Sequence, residues 1–109
     1  MTLWEERAAR NEALFREVNE RVEELRESPA NGGTADFVCE CADDTCTQRI
    51  TVPLATYEHT RADARLFLVA PGHVRPELEH VVSEDAGYVV VRKDSPVAVR
   101  IAEQTDPRA

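Results

Sequence analysis

Positive charge is scarce in this sequence. Thirteen Lys and Arg stand against 21 Asp and Glu, a formal net charge of −8. Nucleic-acid binding draws on a basic footprint that neutralises phosphates, so no direct nucleic-acid partner is expected. No apolar run approaches the roughly 18 residues of a membrane span. The opening Met1-Thr2-Leu3-Trp4-Glu5-Glu6-Arg7 has neither the basic nor the apolar region of a signal peptide. The expectation is a cytoplasmic protein with no membrane partner. Catalytic motifs are missing too: there is no phosphate-cradling Gly-rich loop, dinucleotide fingerprint or zincin motif. Ser83 and Ser95 have no His and acid in a triad arrangement, since His80 only shares a strand with Ser83. The expectation is a protein that is not an enzyme.

Glycine (4) and proline (6) are few and sit mostly where the pattern changes. What remains is 109 residues, 42% hydrophobic and 31% charged, the balance of one small globular domain. Over residues 3–27 the positions Trp4, Ala8, Asn11, Phe15, Val18, Val22 and Leu25 alternate steps of four and three. That is a helix seam of period 3.5, with Leu14 on its flank. Thr2 and Glu5 could form its capping box. At 1.5 Å per residue the helix would run roughly 37 Å, more than so small a body easily covers. Asn11 on the seam reads either as a register-fixing polar residue of a coiled coil or as the wet edge of a packed helix. The acidic faces of the helix read as solvated, or as complementary to a basic partner surface such as the DNA-facing side of a transcription protein.

Ser28-Pro29-Ala30-Asn31-Gly32-Gly33 ends the helix. Beyond it we expect a strand at Phe37–Cys41, a turn at Ala42–Thr45, a return strand at Arg49–Val52 and a short helix at 54–62. A buried strand at Leu66–Val69 stops at Pro71-Gly72. A hairpin of 78–83 and 88–91 turns at Glu84–Gly87, and a last helix covers 97–104. The fold class is therefore α+β: a long amphipathic helix, then a small antiparallel β body with one or two short helices. The chain divides into the helix (1–28), a linker (29–35), the body (36–105) and a tail (106–109). A core of about a dozen large apolar side chains calls for a staple, and a structural metal is one of the usual ones.

All three cysteines fall within eight residues, as Cys39-x-Cys41-x4-Cys46. In a reducing compartment such a cluster points to metal or redox chemistry rather than a disulfide framework. Residues i and i+2 of a strand share a face, and the turn returns Cys46 to the same end. Three thiolates occupy three corners of a tetrahedral Zn2+ site. His73, in a tight turn after Gly72, is the favoured fourth ligand. His59, His80, a water, Asp43 and Asp44 are the alternatives. As a separate hard-cation site Asp43-Asp44 has too few acids and reads as a solvated turn.

The segments Arg10-Asn11-Glu12-Ala13-Leu14-Phe15-Arg16-Glu17-Val18-Asn19-Glu20-Arg21-Val22-Glu23, Phe37-Val38-Cys39-Glu40-Cys41-Ala42-Asp43 with Cys46, Phe67-Leu68-Val69-Ala70-Pro71-Gly72-His73 and Tyr88-Val89-Val90-Val91 resemble an uncharacterised family of small actinobacterial proteins. The likeness spans about residues 8–108 without the loop 28–35. It implies Cys39, Cys41, Cys46 and His73 as the ligand set, because His59 and His80 fall where the family pattern carries other residues. Ala55-Thr56 departs from the acidic residues expected there.

The expected function is a non-enzymatic regulatory or adaptor protein with a structural zinc. Its helix would bind a protein partner, transcription-related in one reading, through Trp4, Phe15, Val18, Val22 and Leu25, or pair with a second copy in a homodimer. A zinc-thiolate redox switch is the alternative, and a small enzyme stands third.

Overall fold

Alternation and continuous apolar runs place the strands. In the computed structural model, which describes residues 3–25 and 33–108, Thr34–Val38 forms β1 and Arg49–Pro53 forms β2. They pair antiparallel with Phe37 opposite Ile50 and Ala35 opposite Val52, so these four side chains line one buried face. Leu54–Arg61 forms α2, which lays Tyr57 flat on Phe37 with ring centroids 4.3 Å apart. Leu66–Val69 (β3), Glu79–Glu84 (β4) and Val89–Lys93 (β5) make a second antiparallel sheet in the order β3-β5-β4. The central strand β5 is covered on both faces and reads as an unbroken Val run. The edge strand β4 buries only Glu79 and carries a bulge at Val82. Pro96–Gln104 forms α3, capped by Ser95, whose Oγ accepts from the Ala98 amide at 3.1 Å. The fold is α+β: a long N-terminal helix, two small antiparallel sheets and short helices. No described helix is long and apolar enough to cross a membrane.

The N-terminal helix α1 spans Leu3–Glu24 and packs chiefly on α3 and β1. The face it buries shares only Ala8 with the apolar seam. Buried are Ala8, Ala9, Glu12, Ala13, Arg16, Asn19 and Glu20, a stripe of small and charged residues at helical spacing. Of the predicted partner residues Trp4, Val18 and Leu25 are exposed, Phe15 is half-buried, and Val22 is half-buried against the main core. The reason is hydrogen bonding and charge pairing with distant segments. Arg16 donates to the carbonyls of Ala64 (2.6 Å) and Ala102 (2.8 Å) while stacking over Phe67. Asn19 brackets Val38, accepting from its amide and donating to its carbonyl, both at 2.8 Å. Glu20 accepts from the Tyr57 hydroxyl at 2.7 Å. Buried Lys93 hydrogen-bonds Glu79 and lies 2.6 Å from Glu12 Oε2, though without the alignment of a hydrogen bond.

Three segment boundaries differ from the sequence reading. Thr34 and Ala35, assigned to the linker, belong to β1. The strand expected to run through Cys41 leaves β2 after the Cys39 amide bonds the Gln48 carbonyl. It then crosses to β3, where the Glu40 amide donates to the Leu68 carbonyl at 2.8 Å. The tail is held: Arg108 pairs with Glu20, Glu23 and Glu58. Thr2 and residues 26–32, which include most of the expected linker, lie outside the described residues.

Candidate metal centre

The crossing segment between the two sheets sets the cysteines. Being extended, it alternates sides. Glu40 turns into the body, fully buried, where Arg61 grips both its oxygens at 2.9 Å, Asn19 donates at 2.7 Å and the Leu68 amide at 2.9 Å. Cys39 and Cys41 flank it and are buried as well. The loop to Cys46 is folded by Asp43, whose Oδ1 accepts from the Thr45 amide (2.9 Å) and hydroxyl (2.7 Å), while the Cys46 amide bonds the Asp43 carbonyl. Opposite, Ala70-Pro71-Gly72-His73 closes a turn through the His73 amide and the Ala70 carbonyl at 3.0 Å. Proline second and glycine third, with Gly72 at φ +85°, is the type II signature. That turn swings the imidazole back over the sulfurs.

His73 Nδ1 lies 3.5 Å from Cys39 Sγ and 3.6 Å from Cys46 Sγ. With Cys41 Sγ, the four ligand atoms all lie within 4.8 Å of one another. Cys39, Cys41, Cys46 and His73 are thus close enough to hold one metal ion. Cys46 and His73 are half-buried and form the open side. Cys39 Sγ also accepts from the Ala70 amide at 3.1 Å, a donor that favours a sulfur anion.

The electrostatics suit a cation. The three thiols differ in acidity. The S–H of Cys39, with help from His73 and Cys46, holds Cys41 down to about 5. Donating to Cys41 and burial push Cys39 up, and burial pushes Cys46 up. Ionising all three together requires a positive charge among them.

The other candidates lie apart. His59 is exposed on α2, and His80 is exposed and paired with Asp94 at 2.9 Å. Asp43 is engaged with Thr45, and Asp44 is exposed. Sequence reading passed over Glu40, Asn19 and the Ala70 amide, which orient the ligands. The one signal for Glu40 was its place between two cysteines on a two-residue period.

No family model, curated protein or solved structure matches this chain.

Proposed function

We propose that this chain is a non-enzymatic regulatory or adaptor protein, in which a structural Zn2+ on Cys39, Cys41, Cys46 and His73 fixes the body and α1 receives a protein partner. One observation carries the zinc. Tetrahedral zinc with Zn–S of about 2.3 Å and Zn–N of about 2.05 Å implies S···N edges of roughly 3.6 Å. The edges from His73 Nδ1 are 3.5 and 3.6 Å. Three thiolates and an imidazole close the coordination sphere and leave zinc little Lewis acidity, which favours a structural over a hydrolytic role. The partner reading is supported by the outward seam: Trp4 is 44% exposed, Leu14 59% and Leu25 85%.

Elemental analysis of untagged protein is expected to find one zinc per chain. No zinc, with three freely titrating thiols under reducing conditions, overturns the reading. His73→Ala is expected to weaken metal binding far more than His59→Ala or His80→Ala. Half-buried Cys46 gives an oxidant a way in and favours a redox switch as the second reading. Zinc release with loss of titratable thiols at low peroxide would select it.

A further inference from the structure

A groove of about 500 Å³ runs between the first half of α1 and the metal loop. Its floor is apolar, with Trp4, Ala8 and Leu14 from the helix and Ala42 from the loop. Its walls carry Arg7, Arg10 and Arg75 against a single acid, Asp44. On a chain of net charge −8 this is a local inversion of sign. Among the described residues Arg7 and Arg75 enter no salt bridge, and Arg10 reaches only Glu6, at 3.5 Å.

We infer that this groove binds an acidic peptide segment of a partner protein, one bearing a large apolar side chain flanked by Asp or Glu. The inference rests on α1 being a partner surface and narrows that surface to its first half. The volume lies in the range of sites that enclose a small ligand or anchoring side chains. An apolar anchor removes Trp4 and Leu14 from water, and flanking carboxylates meet the guanidinium forks. A nucleic acid would bring phosphate to the arginines but leave the floor uncovered, and the acidic remainder of the surface repels it. A second copy docking by the same groove sets arginine against arginine across the twofold axis.

The groove also depends on the metal centre. Ala42 follows Cys41 directly and packs on the cluster of Ala8, Ala9 and Leu78, and Asn11 Nδ2 donates to the Cys41 carbonyl at 3.4 Å. One wall is therefore the metal loop itself, and peptide binding follows metal loading.

The test is selection of a random-peptide display library on the metal-loaded full chain. Synthetic copies of the enriched peptides are then read by the emission of Trp4, the sole tryptophan. Enriched peptides are expected to place Asp and Glu around an aromatic or large aliphatic residue and to shift Trp4 emission to the blue. Arg7→Glu with Arg10→Glu is expected to weaken them by about tenfold or more. Arg21→Glu, on the same helix outside the groove, leaves them unchanged. Failure to enrich any peptide, or enrichment of neutral or basic ones, overturns the inference. So does binding that survives Arg7→Glu/Arg10→Glu, an oligonucleotide that competes at the arginines, or a dimer in sedimentation that Arg7→Glu/Arg10→Glu dissolves. Loss in Val18→Glu alone moves the partner to the rest of the seam and removes the groove. Zinc content of every variant keeps the two readings separate: full zinc without peptide binding defeats only the groove, and peptide binding without zinc defeats the metal reading and the groove's dependence on it while leaving the groove itself standing.

Discussion

Glu40 sits between two metal-ligating candidates and answers to neither. Its carboxylate neutralises buried Arg61 and ties α1, α2 and β3 together through Asn19, Arg61 and Leu68. Glu40→Gln leaves the Arg61 guanidinium buried without a counter-charge, and the expected loss is about 3–5 kcal/mol in urea unfolding. A loss under 1 kcal/mol would show that the network is not what holds the cysteine segment. Glu12 makes the opposite demand. Burial pushes its carboxyl up to about 8 from an ordinary 4.5, with Lys93 opposing the rise and Glu79 adding to it. Between those values the folded chain binds more protons than the unfolded one, so stability falls as pH rises, by at most about 1.4 kcal/mol per unit from this group. The contribution is fully present below about pH 4.5 and is lost as pH climbs through 8. Glu12→Gln is neutral throughout and is expected to flatten that slope. Glu23, raised to about 7 but more solvated, leaves a smaller slope of the same sign. Equal slopes in wild type and Glu12→Gln would place the linkage elsewhere.

At the scale of elements, α1 inverts the usual amphipathic arrangement. Charged substitutions on its apolar face, Leu14→Glu and Val18→Glu, are expected to change stability by no more than about 0.5 kcal/mol. Arg16→Ala, on the polar face, strands the carbonyls of Ala64 and Ala102 and is expected to cost about 3 kcal/mol. Chemical denaturation of the three variants decides whether the packed face is the polar one. The strands were legible because Phe37, Ile50 and Val52 alternate and Val89–Val91 does not, and each pattern has one burial solution. The helix existed plainly in the periodicity of its apolar residues, but its packed face did not. Groups that meet Glu12, Arg16 and Asn19 lie on β1, β3, β5 and α3 and just beyond α3, up to 89 residues away, and no local pattern carries them. The metal loop was legible for the opposite reason. Its spacing is local, and the turn that delivers His73 is written in Pro71-Gly72. Gly72→Ala meets no neighbouring atom, yet at φ +85° it is strained by about 1–2 kcal/mol, and it is expected to weaken metal binding together with stability.

At the scale of the whole molecule, the apolar core is modest and the buried charges are many. Tyr57, Phe37, Phe67, Leu68, Leu78 and Ile101 share the interior with Arg16, Lys93, Glu12, Glu40 and Glu79. Such an interior depends on every pair being met at once, and the strand crossing that carries Glu40 also carries Cys39 and Cys41, so a metal held as proposed would anchor it. Chelation is therefore expected to abolish the near-UV signal of Tyr57 and Phe37 rather than merely loosen the loop. An unchanged spectrum after complete metal removal would contradict this. The packing of α1 on α3 also sets an order in time. A ribosome makes α1 first and α3 some seventy residues later, so the nascent helix has no carbonyl of Ala102 to meet and keeps Glu12 and Arg16 in water. Every ligand of the metal centre has been translated once His73 is out. In chains stalled after His73 has emerged but before α3 is made, the three thiols are expected to resist alkylation when zinc is supplied, while α1 is still cut by proteases. If the site holds zinc as proposed, metal capture comes first in the life of each molecule, and the helix docks only after α3 has been made.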